Sequence, residues 1–294
     1  REGARLLAPP PNLPRGTPPA HLQRVLHASP CGMLATTSQS VASAPGKVIL
    51  FGEHAVVHGA TAVAASLSDL RVVVRAAITK SNTLEMHLGD LFDETGGDGG
   101  VTTLPMPDLF AVSNVQEVTG TSKRPSKGAL AALERLFAAL DVHRRKAASC
   151  IAYLTCGILH ELVRGNADLN RGLRVEVEAV NLPVGAGLGS SAAFSVAAAG
   201  CLLNLQAQTF ISGGGALSCV ECADGGVAGM RPDSSVLDKV NEWAFASEVI
   251  IHGEPSGLDS NVSCYGGVVK FTKGDGIHVE RLDETPPLDI LLTN

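Results

Sequence analysis

Three glycines at alternate positions followed by two serines are the residues of this sequence best suited to hold an anion. They are Gly185, Gly187, Gly189, Ser190 and Ser191, within L-P-V-G-A-G-L-G-S-S-A-A from Leu182 to Ala193. Glycines let main-chain N–H groups approach a ligand closely. A helix opened by the two serines would aim its unpaired N–H groups and positive dipole end at the same spot, which suits a phosphate. No Lys follows the glycines, so this is not the G-x-x-x-x-G-K-[ST] loop, and the spacing does not fit G-x-G-x-x-G. A serine-capped glycine turn without a ligand is the plainer alternative. The clear strand before the stretch and the clear helix after it weigh toward phosphate binding.

Four more side chains have chemistry to offer. Glu248 falls in a helix predicted over about Ser235 to Ile251, capped by Asp233 or Ser234. Its neighbours three and four residues away are Ala244, Phe245, Ile251 and His252, so it projects from a mainly apolar face. A buried anion is costly unless paired or metal-bound, which makes Glu248 either a hydrogen-bonded core residue or a cation ligand. Asp259 follows in H-G-E-P-S-G-L-D-S-N, where Pro255 and Gly257 predict a tight turn and an Asx-type role. Lys47 and Glu53 bracket a short apolar strand, Val48 to Phe51, and spacing alone reads them as solvated strand ends. His54 and His58 are four apart, but the Glu of H-E-x-x-H is missing, which argues against zinc. Cys219 and Cys222 make a lone C-x-x-C with no second ligand pair and read as incidental thiols.

These residues need elements to position them. Leu173, Val175, Val177 and Ala179 alternate with Arg174, Glu176 and Glu178, the period of a strand with one buried face. It feeds the glycine stretch, and an Ala-rich helix, Ala192 to Leu205, leaves it. Upstream, Arg71 to Ile78 predicts a strand, Ser81 to Pro107 a loop-rich excursion with a Gly-rich run at 96–100, and Gly128 to Val142 and Ala147 to Val163 two helices. Residues 206–233 predict a mobile insertion. Strands are expected at Val268 to Thr272, His278 to Leu282 and Asp289 to Thr293.

Composition bounds the rest. With 294 residues, 45% hydrophobic and 18% charged, the chain can bury one large core or two smaller ones. A net charge of −6 with interspersed signs argues against a nucleic-acid surface. Seven cysteines at irregular positions fit reduced thiols in a cytoplasmic protein better than a disulfide framework. Residues 179–220 carry no charge, but Pro183, several Gly and Ser, Asn and Gln interrupt the run, so a buried helix is expected and not a membrane span. Residues 1–40 are rich in Pro, Ala and Ser and predict disorder. Scarce acids beside Arg1, Arg5, Arg15 and Arg24 also fit an organellar transit segment. Alternatively, since Met33 precedes the first structured segment, residues 1–32 are upstream sequence outside the functional protein.

Taken together, A-P-G-K-V-I-L-F-G-E-H-A-V-V-H-G at 44–59, P-V-G-A-G-L-G-S-S-A-A at 183–193 and W-A-F-A-S-E-V-I-I-H-G-E-P-S-G-L-D-S-N at 243–261 resemble the motifs of the GHMP small-molecule kinases. The closest resemblance is to the branch that phosphorylates mevalonate on the way to isoprenoids and sterols. The resemblance covers about residues 42–294 and implies an α+β, two-domain fold with the active site between the domains. Residues 41–270 would be the N-terminal, ATP-binding domain, with 271–294 starting a C-terminal part that is largely missing, since the family's third glycine-rich motif is not reached. It implies Asp259 as proton acceptor and Lys47 as the charge beside it. Gly185, Ala186, Gly187, Leu188, Gly189, Ser190 and Ser191 would cradle ATP, Ser191 and Glu248 would hold Mg²⁺, and Glu53 and His54 would line the acceptor side. A small-molecule substrate, a homodimer, and no nucleic-acid or membrane partner complete the expectation. Two alternatives stay open: a nucleotide-binding fragment without turnover, and a kinase of this family acting on phosphomevalonate, galactose or homoserine.

Overall fold

The computed structural model describes residues 38–54, 56–89, 101–115, 123–164, 171–210, 220–221, 232–273, 277–282 and 290. The sequence expectations for 1–37, the Gly-rich run at 96–100, the C-x-x-C cysteines and the last strand at Asp289 to Thr293 lie outside the described residues.

A long antiparallel ribbon carries the sheet. β1 (Gln39–Phe51) pairs along its length with β2 (Thr61–Thr79), with register shifts at Pro45/Gly46 and Ile49/Phe51. The strand at the start of the chain is therefore much longer than Val48 to Phe51. Its buried part is Ala42 to Lys47, while Phe51 is 71% exposed. β2 likewise extends well beyond Arg71 to Ile78. The sheet order is β4 (Val101–Pro105), β3 (Thr83–His87), β5 (Gly172–Val180), β2, β1, β6 (Val220–Glu221), and β7 (Val268–Lys273) with β8 (Ile277–Leu282) joins the first half of β2. Pairing is antiparallel except for β3 with β5 and β1 with β6. In β5, Leu173, Val175 and Val177 are buried, as the alternation predicts. Arg75 pairs with Glu178 at 2.8 Å and Arg174 with Glu85 at 3.2 Å on the polar side.

The helices are α1 (Phe110–Val115), α2 (Lys127–Leu136), α3 (Val142–Ile158), α4 (His160–Arg164), α5 (Ser190–Phe210), α6 (Ser234–His252) and α7 (Leu258–Tyr265). α5 lies directly on β1 and β2, and α3 and α6 pack against it. Small residues make this close approach workable: Ala192, Ala193, Ala197, Ala198 and Ala199 are all buried. α5 is long and apolar enough to cross a membrane by length and composition alone, yet most of it is buried inside the fold. This matches the expected core helix. Mixed helix and sheet in these proportions agree with the α+β expectation.

Three helix boundaries differ from the sequence reading. The apolar run from Gly128 into Val142 hides a cap: Asp141 accepts from the N–H groups of His143 and Arg144 and starts α3 at Val142. α2 ends at Leu136, and α3 stops at Ile158 before the short α4. The expected insertion at 206–233 loses its first residues, because α5 continues to Phe210, and within it Val220–Glu221 pair with β1.

Candidate active site

The glycine stretch is held against β1 by backbone contact. Lys47 N–H donates to the Leu188 carbonyl at 2.8 Å, and a Cβ on Gly46 would lie 2.8 Å from that same carbonyl oxygen and from Leu182 Cδ1. Only glycine lets the loop sit this close to the strand. Gly189, at φ +72°, presses onto the stem of Lys47, where a Cβ would lie 2.7 Å from Cγ. The loop thus clamps Lys47, which is 7% exposed. The clamp directs Nζ to within 3.4 Å of Asp259 Oδ1 and 3.4 Å of the Gly187 carbonyl oxygen.

Asp259 does not sit in an Asx-type turn. Gly257, at φ +81°, is the N-cap of α7, and Asp259 occupies the first turn of that helix. Leu258 and Val262 anchor α7 in a small core with Ala64, Val269 and Phe271, and Ser263 donates to the Pro45 carbonyl at 2.7 Å. The local sequence reads as a turn because Pro255 and Gly257 follow closely on Gly253, which caps the end of α6. Tertiary packing turns the residues that follow into a helix.

Glu248 is 3% exposed on α6, facing α5. Ser195 Oγ donates to its Oε1 at 3.1 Å, and His252 Nε2 lies 3.7 Å from Oε2 and 3.1 Å from Ser191 Oγ. Burial raises the Glu248 carboxyl to about 7; the charge of Asp259 adds to this, while the Ser195 and Ser191 hydrogen bonds and Lys47 oppose it. The His252 ring is pushed below its ordinary value, first by burial and then by the Lys146 charge, which works against a positive charge beside Glu248. A buried carboxylate without a full counter-charge beside a hydroxyl is a place where a hard cation fits.

A cavity of about 460 Å³ opens over the loop, lined by Lys47, Glu53, Gly185, Gly187, Gly189, Ser190, Ser191 and Asp259 among others. A smaller pocket of about 190 Å³ shares Asp259 and His252 with it and is lined by Glu248 and Ser260. The structure therefore gathers nearly all the sequence-predicted residues in one place. His54 is exposed and lines neither space, and Ala186 and Leu188 contribute no lining side chain. His58 lies in a three-residue 3-10 turn, not on a shared helix face with His54. Among the described residues no group of three or more His, Cys, Asp or Glu side chains forms a metal cage.

The sequence reading assigns no site role to Ser195, His252, His143 or Lys146. Ser195 follows Ser191 by one helical turn and His252 follows Glu248 by one turn, a spacing signal strong enough to have placed them. His143 and Lys146 reach the cavity from α3, and nothing local marks them. Cys150, Cys156, Cys201 and Cys264 are buried thiols outside any disulfide. Burial pushes the first three thiols up to about 12, so they are inert.

Residues 151–213 match the family described as GHMP kinases N terminal domain. The mevalonate kinase of Homo sapiens is 35% identical over 252 residues, covering 86% of this chain and 58% of that protein. That of Arabidopsis thaliana is 32% identical over 258 residues, covering 86% of this chain and 61% of that protein. The chain thus spans about three-fifths of the length of these relatives. The solved mevalonate kinase of Methanococcus jannaschii shares the fold, with a TM-score of 0.50 at 18% identity over 84% of this chain and 56% of that one.

Proposed function

Because this chain belongs to the GHMP kinases, we propose that it forms the nucleotide-binding portion of an enzyme that transfers the γ-phosphoryl group of ATP to the hydroxyl of mevalonate. The observation that carries this reading is the Lys47–Asp259 pair held at 3.4 Å against the Gly187 carbonyl. One carboxylate and one ammonium then stand where a bound triphosphate would end.

Phosphoryl transfer asks mainly for alignment and for neutralisation of charge spread over the phosphoryl oxygens. The N–H groups of residues 185–191 and the N-terminus of α5 supply donors to the phosphates. Asp259 accepts the proton of the attacking hydroxyl, which must lie within hydrogen-bond reach of it. Lys47 neutralises negative charge as the phosphoryl group moves. Ser191 and Glu248 fit a Mg²⁺ ion, which when bound would offset charge on the β and γ phosphates. Support for that assignment is the buried Glu248 carboxylate raised to about 7 within the Ser191–His252 cluster. Glu53 lines the cavity and belongs to the acceptor side in this reading. A cytoplasmic homodimer is the state we expect, checked by light scattering and by localisation of a tagged chain.

The test is ADP release from Mg-ATP with mevalonate, phosphomevalonate, galactose and homoserine as acceptors. It is run on this chain and on one extended to the length of the relatives. Turnover with mevalonate by the extended chain is expected. Turnover with a different acceptor removes the substrate assignment, and nucleotide binding with no acceptor turned over by either chain favours a binding role.

A further inference from the structure

Three consecutive cations near the start of α3 have different fates. Arg144 pairs with Asp141 at 3.6 Å, and Arg145 pairs with Glu134. Lys146 lines the large cavity together with the glycine loop, and among the described residues it makes neither a hydrogen bond nor an ion pair. Helix energetics do not explain it, because the N-terminal turns of a helix favour anions and disfavour cations. The other lysine of the cavity, Lys47, is already matched by Asp259. Lys146 is therefore an unmatched positive charge facing a space whose loop is built of N–H donors. Its charge reaches His252 on the opposite helix, where it helps hold the ring below its ordinary value.

We propose that Lys146 is a second phosphate-binding cation, a specificity-determining residue that grips the polyphosphate of the nucleotide from α3 and favours di- and triphosphates over monophosphates. The proposal rests on the reading of this cavity as a nucleotide site. Its physical content is simple. Each phosphate beyond the first adds charge, and an ammonium with no ion-pair partner among the described residues is left to make a charge-assisted hydrogen bond to it. Lys146 is exposed on the cavity wall, so replacing it disturbs no packing. His143, one turn earlier on the same helix face, and Ala147 line the same cavity, which fixes the side from which the contact is made.

The experiment titrates this chain with ATP, ADP, AMP and inorganic tripolyphosphate, comparing the parent with Lys146→Met, Lys146→Arg and, as a surface control, Lys239→Met. A hydrogen bond between charged groups predicts that Lys146→Met binds ATP, ADP and tripolyphosphate about tenfold more weakly and AMP within about twofold of the parent. The Arg variant recovers to within about threefold, and raising ionic strength weakens the parent more steeply than the Met variant. Lys239→Met is unchanged. If the parent binds ATP and Lys146→Met binds it equally, or if AMP suffers the same loss as ATP, the role of Lys146 falls and the nucleotide reading stands. If tripolyphosphate binds in a Lys146-dependent way while no nucleotide does, the anion site stands and the nucleotide reading falls. If the parent binds none of the four, both fall.

Discussion

Lys47 Nζ lies 3.4 Å from Asp259 Oδ1, joining the middle of the central strand pair to the first turn of α7. The two groups have different jobs although they touch. Lys47 also reaches the Gly187 carbonyl and carries the Gly189 backbone on its stem, so it belongs to the loop as well as to the reacting centre. Asp259 contacts no loop atom in this way.

Asp259→Asn should consequently remove turnover and leave nucleotide binding intact. Loss of a general base lowers kcat by about 10²–10⁴, and the amide keeps the shape of the side chain. ATP affinity within about threefold of the parent is expected, since no phosphate donor is lost. Lys47→Met should lower both, because it removes a phosphate-facing charge and unseats the loop. The pair is measured by initial rates on the extended chain and by equilibrium titration of ATP. Unchanged turnover in Asp259→Asn would eliminate it as the base.

Glu248 makes a prediction in pH. Its carboxyl is raised from 4.5 to about 7 in the folded chain, so the folded state holds a proton that the unfolded state has released. Stability from this group is fully present below about pH 4.5 and is lost as pH rises through about 7. The loss is about 3 kcal/mol. Glu248→Gln, which cannot ionise, should flatten that slope in metal-free urea unfolding between pH 5 and 8 and match or exceed the parent at pH 8. Added Mg-ATP should then stabilise the parent and not the variant. A parent whose stability does not fall across this range would show that the carboxylate is already compensated.

The glycine loop gives a comparison within one motif. Gly185 and Gly189 both have positive φ, but a Cβ at 185 meets nothing within 4 Å while one at 189 meets Lys47 at 2.7 Å. Gly185→Ala should cost about 1 kcal/mol of left-handed strain. Gly189→Ala should cost about 1–3 kcal/mol more through overpacking and should also weaken nucleotide binding by displacing Lys47. Urea unfolding of both variants at one pH separates them. Equal losses would mean that the loop does not clamp the lysine.

What the sequence made legible was local. The alternation in β5, the glycine run and the Ala-rich helix are contiguous, and each has its own period or punctuation. The long β1 was hidden because Ala42 to Gly46 are small residues, a Pro and a Gly, which form a strand only with β2 alongside. The first turn of α7 was hidden because Pro255 and Gly257 dominate the local signal, while the packing of Leu258 and Val262 on β2 and β7 decides the outcome. His54 looked as good as Glu53 by motif, yet the exit turn leaves only Glu53 on the cavity. Lys146 and His143 reach the cavity only because α3 packs beside α5 and α6, a relationship no window of sequence contains.

Ser195 shows how that packing enters the chemistry. It is fully buried, and its hydroxyl donates to Glu248 Oε1 at 3.1 Å, one helical turn beyond Ser191. A donor to a carboxylate favours the charged form, so its hydrogen bond works against the effect of burial. Ser195→Ala removes that donor and leaves Ser191 in place. The Glu248 carboxyl should rise further, and the pH at which metal-free stability is lost should move upward with it. Loss of a group that orients a metal ligand typically weakens metal binding by about 10–100-fold, so Mg²⁺-dependent ATP affinity should drop by about that factor while metal-free ATP affinity stays put. Ser191→Ala should lose the same metal dependence and also let the Glu248 carboxyl rise, because the Ser191 hydroxyl opposes that rise too, and it should in addition free His252. If Ser195→Ala lowers metal-free and metal-dependent affinity equally, Ser195 acts through the packing of α5 against α6 and not through Glu248.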